Sequence, residues 1–141
     1  VYWVKQIMSV FITLCLYLPI NHANVFVIVH ANSPLVEIHR NELKRIYMNR
    51  RDQWKHGGAI QKAVLRGGDT HKELCRTILR QEPKRFERYW VRLVFTGQGI
   101  APVSLKSDSE MLKYVSENKN SLGYVSAIPQ TPGIKVLKIL D

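Results

Sequence analysis

Ala59-Ile60-Gln61-Lys62-Ala63-Val64-Leu65 runs directly into Arg66-Gly67-Gly68-Asp69-Thr70-His71-Lys72. The first run is short, largely apolar and bounded by glycines upstream and downstream, which predicts a strand over residues 59–65. Thr70 and Glu73 form a capping-box pair, and Leu74, Cys75, Ile78 and Leu79 recur behind them at helical spacing. A helix from Thr70 to about Arg80 is therefore expected. A strand that turns through two glycines into a helix is the repeating unit of an α/β sheet.

The flanking sequence repeats this alternation. Upstream, residues 25–31 are almost continuously apolar and rich in valine, as in a strand buried on both faces of a parallel sheet. Asn32-Ser33-Pro34 ends that strand. Leu43, Ile46 and Tyr47 then mark the inner face of an amphipathic helix over 39–48, with Arg40, Lys44 and Arg45 outside. Residues 49–58 read as a basic loop that holds Trp54 and closes on Gly57-Gly58. Downstream, Pro83 opens a helix whose Phe86, Tyr89, Trp90, Leu93 and Val94 form an inward stripe. Residues 96–103, with two glycines and a proline, are a loop. Ser107 and Glu110 repeat the capping-box pattern at the start of a helix that ends near Asn118. Residues 122–127 and 134–140 read as two closing strands. The expected fold class is α/β, an open mixed sheet flanked by helices, in one domain over residues 24–141.

The first two dozen residues have a different character. Lys5 is their only charge, Ile7 to Leu18 is an apolar run, and Pro19 to Ala23 supplies a helix breaker and a small residue. That order predicts a signal peptide over 1–23, with an apolar stretch shorter than the roughly 20 residues of a membrane-spanning helix. The protein is expected to be exported to the periplasm. The formal net charge of +10 drops by one on removal of this segment. Such a balance favours anionic partners: phosphate, polyphosphate, lipid head groups, acidic polysaccharide or nucleic acid. Cys15 leaves with the segment, so Cys75 is the one cysteine in 24–141, expected as a buried and inert thiol rather than half of a disulfide.

No Walker motif, nucleophile elbow or metal-spaced His/Cys pair occurs, so neither an enzyme nor a cofactor or metal site is expected. The scattered histidines His30, His39, His56 and His71 read as surface or structural residues. Chemistry concentrates at Arg66, Gly67, Gly68, Asp69 and Thr70. Glycines let backbone N–H groups approach a ligand, a helix start offers unsatisfied donors, and Arg66 adds a guanidinium fork. The same residues equally suit a plain strand-to-helix turn. Asp69 would repel a phosphate unless the ligand is a protonated oxyanion that can donate to it. Ser33, at the end of the first strand, is a second candidate contact and also suits a simple turn. Lys72, Arg76 and Arg80, then Arg85, Arg88 and Arg92, crowd the outer faces of consecutive helices. They suit either a solvated face or a patch for an acidic partner. Nucleic acid is not expected, because Tyr89 and Trp90 point inward by their spacing and leave bases no stacking platform.

Taken in order, these signals resemble the phosphate-type periplasmic solute-binding proteins. The matching pieces are the early strand with Asn32-Ser33-Pro34, Glu42-Leu43 leading to Ile46-Tyr47, Trp54 with Gly57-Gly58, Tyr89-Trp90 running into Phe95-Thr96-Gly97, and Gly123-Tyr124-Val125. The resemblance implies a single lobe of a fold that in full members has two. It implies an oxyanion ligand such as phosphate, held near Arg66 and Thr70, and an ABC transporter permease or other envelope protein as partner. Gly68-Asp69 stands where the family's anion turn has Ser-Gly, which removes a hydroxyl donor. A second copy of the chain, or docking on another protein, would supply the missing wall. The alternative is an envelope accessory protein that keeps the lobe, has lost solute binding and holds an acidic partner on its basic face.

Overall fold

The computed structural model describes residues 23–141. The segment read as a signal peptide, apart from Ala23, lies outside the described residues. Those residues form β1 (Phe26–His30), β2 (Glu37–His39), α1 (Arg40–Tyr47), β3 (Gln61–Leu65), α2 (Asp69–Leu74, continued by a π-helical turn Cys75–Leu79) and α3 (Pro83–Phe95). After these come β4 (Val103–Leu105), α4 (Asp108–Glu117), β5 (Ser121–Val125), β6 (Ile134–Val136) and β7 (Lys138–Leu140). Five strands make an open mixed sheet in the order β4-β3-β5-β1-β6, and β2 pairs with β7 in a separate parallel ribbon. The alternation of strands and helices expected from the sequence is present.

β4, β3 and β5 run parallel, whereas β1 is antiparallel to both β5 and β6. The parallel surroundings expected for the first strand are thus corrected. Val27, Ile28 and Val29 are fully buried. Burial on both faces is what demands a continuous apolar run, and it does so whichever way the neighbours point. The expected closing strand over 134–140 is two strands. The Leu137 N–H donates to the carbonyl of Val27 and the Lys138 N–H to that of Val36, so the chain leaves the main sheet there and joins β2. β2 and β4, three residues each, are too short to show any alternation and were not expected.

Helices cover both faces of the sheet. Gly123 in β5 lies under α4, where an added Cβ would come within 2.5 Å of Met111 Sδ and 3.3 Å of Val115. On the other face, Tyr47 at the end of α1 donates its hydroxyl to the Ala63 carbonyl (3.0 Å) and meets Tyr124 edge-on. α4 starts as expected, with Ser107 Oγ accepting from the Glu110 N–H at 3.2 Å. In α3, Phe86 and Trp90 are buried and Tyr89 and Leu93 partly so, but Val94 is 47% exposed, against expectation. Trp90 fixes the roll of this helix, because its indole N–H donates to the Tyr47 carbonyl (2.9 Å). Trp54 anchors the basic loop through its own indole N–H to the Asn120 carbonyl (3.0 Å).

Candidate functional site

β3 delivers its last residue, Leu65, to the carboxyl edge of the parallel strands. The Arg66 N–H still bonds the Leu105 carbonyl of β4 (2.9 Å), and the chain then breaks away. Gly68 turns it with φ +87° and ψ 175°, a conformation that side-chain-bearing residues avoid, and nothing lies within 4 Å of where its Cβ would be. The glycine is there for the turn, and the space above it is open. This turn starts α2 at Asp69 with Gly68 as N-cap, so the expected capping role of Thr70 is corrected. Thr70 is the second helical residue, and no side chain caps this helix start. The first backbone donors of α2 are left without intrahelical partners, as at any helix start.

Two helices begin at this sheet edge, and they differ. At α4 the Lys106 N–H goes to Glu110 Oε2 (2.8 Å), and Asp108 Oδ2 accepts from the N–H of Ser126 (2.9 Å) and from its hydroxyl. Ser107 caps that start and the two carboxylates tie it to the flanking chain. At α2, Arg66, Gly67, Gly68 and Asp69 are exposed and Thr70 half-buried, and Arg66 forms no ion pair among the described residues. The structure therefore brings Arg66, Gly67, Gly68, Asp69 and Thr70 together as one open turn.

Ser33 does not join them. At the level where Val125 ends β5, its partner in β1 is Phe26, the first residue of that strand. Ser33 follows the other end of β1, so antiparallel pairing puts it at the opposite edge of the sheet. Its hydroxyl accepts from the Leu35 N–H (3.3 Å) and its carbonyl from Lys135 Nζ. Ser33 is a turn residue.

Beneath the open turn lies a polar cluster that the sequence did not announce. The Tyr124 hydroxyl accepts from the Leu65 N–H (2.9 Å) and stands 2.5 Å from His71 Nδ1. His71 Nε2 in turn lies 3.6 Å from Cys75 Sγ. Burial raises the Tyr124 phenol and lowers the His71 imidazole, the latter opposed by the charge of Glu87, so both rings are neutral. The single phenolic proton then goes to Nδ1, leaving Nε2–H to face the sulfur. Cys75 is fully buried and its thiol pushed up to about 12, chiefly by that burial, as expected of an inert cysteine. His71 thus has partners the sequence did not reveal. The cluster pins the end of β3 to the first turn of α2 and so holds the loop between them.

Arg66, Gly67 and Gly68 also form one end of an apolar groove of about 720 Å³, with Phe86, Trp90 and Val91 of α3 along it and Pro102 and Ser104 on its far side. No group of three or more His, Cys, Asp or Glu side chains able to hold a metal ion occurs among the described residues.

Neither a family model nor a curated protein matches this chain by sequence. Solved structures do match by fold. A protein described as a phosphate ABC transporter substrate-binding protein from Clostridium perfringens, solved with bound phosphate, shares 16% identity at a TM-score of 0.64 over 83% of this chain and 45% of that one. A phosphate-binding protein from Stenotrophomonas maltophilia gives 18% and 0.62 over 83% and 39%. PstS from Borrelia burgdorferi gives 15% and 0.60 over 83% and 47%. The chain thus spans less than half the length of each of these structures, and at such identities what is shared is the fold.

Proposed function

Given a chain with the fold of roughly half of a phosphate-binding protein, we propose that it is a solute-binding lobe that takes phosphate or a similar oxyanion at Arg66–Thr70. The observation that carries this is the contrast between the two helix starts at the carboxyl edge of β3, β4 and β5. One is capped by Ser107 and tied to the flanking chain by Asp108 and Glu110; the other has no side-chain cap, is glycine-lined and is flanked by Arg66, which has no ion pair among the described residues. Ligands of open α/β sheets sit at that edge, and an anion there meets free N–H donors and a guanidinium fork. Asp69 at the mouth selects for a ligand that brings its own proton, such as a monohydrogen or dihydrogen phosphate, over fully deprotonated sulfate.

The protein acts as a binder rather than an enzyme in this reading. It is exported by the segment over 1–23, works outside the cytoplasm and hands its ligand to an ABC transporter permease or another envelope protein. An open single lobe holds a small anion weakly unless a second surface covers it, because water and salt compete at an exposed site. A homodimer, or the partner itself, provides that cover across the apolar groove that begins at Arg66. No helix among the described residues is long and apolar enough to cross a membrane.

Calorimetry of the full chain with phosphate, and with sulfate as competitor, tests the proposal. Saturable heat that sulfate fails to displace is expected, and Arg66→Ala should weaken binding by about tenfold or more, the loss of one charge-assisted bond, at an unchanged melting temperature. An Arg66→Ala variant that binds as well as the parent would remove the ligand from this loop.

A further inference from the structure

α3 separates two grooves of opposite character. Val91 and Phe86 face the apolar groove at Arg66, while Arg85, Arg88 and Arg92 face a second groove of about 1070 Å³. The opposite wall of that second groove belongs to α1 and the loop after it, with Lys44, Arg45 and Arg50, and Arg80 closes one end. Seven cationic side chains line it and no carboxylate does. Among these cations Arg45 alone has an ion pair within the described residues, with Glu42. The sequence grouped Lys72 and Arg76 with this basic face. The structure separates them: Lys72 lines the apolar groove, and Arg76 is held by Glu82 at 3.1 Å.

The floor of the groove is built and closed. The Tyr89 hydroxyl donates to the Met48 carbonyl (2.6 Å), and Gln81 Nε2 reaches Met48 Sδ (3.1 Å). Arg80 itself holds a left-handed backbone, φ 54°, where a glycine would sit with less strain. A glycine would lose the guanidinium.

We propose that this groove binds a linear chain of linked phosphates, such as inorganic polyphosphate, independently of the oxyanion loop. Three features select that chemistry. The site is concave, which suits a strand lying along it better than a flat membrane. Apart from Arg80, its cations come from two elements, α1 with the loop after it and α3, and a linear polyphosphate carries an anionic charge on every unit of its backbone with non-bridging oxygens directed to either side, whereas the carboxylates of an acidic peptide hang on flexible side chains. The guanidinium groups that dominate it fork onto phosphate oxygens. Nucleic acid fits less well, because the one aromatic in the groove, Tyr89, is half-buried edge-on to Trp90 with its hydroxyl committed.

Fluorescence anisotropy of labelled medium-chain polyphosphate with the full chain tests this, at several salt concentrations and with poly-glutamate of matched charge as competitor. Binding should weaken steeply with salt. Charge reversal at Arg85, Arg88 and Arg92 should lower affinity by about tenfold or more, the sum of several exposed ion pairs, and so should the pair Lys44→Glu and Arg50→Glu. The same reversal at Lys113, Lys119 and Lys138, outside the groove, should cost only a few-fold through net charge. Calorimetric response to monomeric phosphate should persist in the groove variants, which separates this site from the one at Arg66. Equal losses from both triple variants would reduce the effect to overall charge, and effective competition by poly-glutamate would assign the groove to an acidic peptide. Either result, or no binding at all, overturns the proposal.

Discussion

Removing the Tyr124 hydroxyl strands two polar groups at once, since the Leu65 N–H and His71 Nδ1 both rely on it. Tyr124→Phe is therefore expected to cost about 1–3 kcal/mol, the penalty for a buried unsatisfied partner, read as a lowered urea midpoint at constant m-value. A weaker ligand response at the Arg66 loop should accompany it, because the same hydroxyl fixes where β3 ends. None of this was legible in the sequence. His71 and Tyr124 are far apart in the chain, and Tyr124 fits an ordinary strand pattern. The five residues of the open turn, by contrast, are contiguous, so local reading groups them without knowing the fold. Ser33 was misplaced because its edge depends on the pairing direction of β1, which an apolar run does not encode.

Among the elements, α2 and α4 carry the same Ser/Thr-x-x-Glu pattern, yet only α4 uses it. Gly67-Gly68 lets the backbone take a left-handed turn and begin α2 one residue before Thr70, and this moves the threonine past the capping position. Thermal melts of two single variants should show the difference. Ser107→Ala is expected to lose about 1 kcal/mol with its cap, and Thr70→Ala should change stability by less than about 0.5 kcal/mol. The strands and helices that the sequence predicted were readable to within a residue or two because their burial patterns are strong: three buried residues in β1, and Leu43, Ile46 and Tyr47 in α1. The break at Leu137 was not readable. Two consecutive strands that belong to different sheets look like one when most residues are apolar, and the only local sign here is the shift of phase at Val136-Leu137.

For the molecule as a whole, His71 couples stability to pH. Burial lowers its folded pKa below the ordinary value of 6.5. As pH falls through 6.5 toward the folded value, the unfolded chain takes up a proton before the folded one does, so stability falls across that window. Urea midpoints should decline from pH 7.5 to 5.5 and should decline less in His71→Gln. A parallel decline in both proteins would assign the effect to other groups.

The order of the strands also sets a schedule. In β1, Phe26 waits for Val125 and His30 for Ile134 before either edge of the strand is covered. Until β5 and β6 exist, a nascent chain can join β3 to β4 and wind its helices, but Val27, Ile28 and Val29 remain a bare apolar strand with both edges free, the kind of segment that associates with other chains. Closing so distant a pair is slow compared with making a helix. β1 is therefore covered only once both β5 and β6 have been made, so a chain stopped after α4 is expected to aggregate rather than to behave as a smaller version of the same fold.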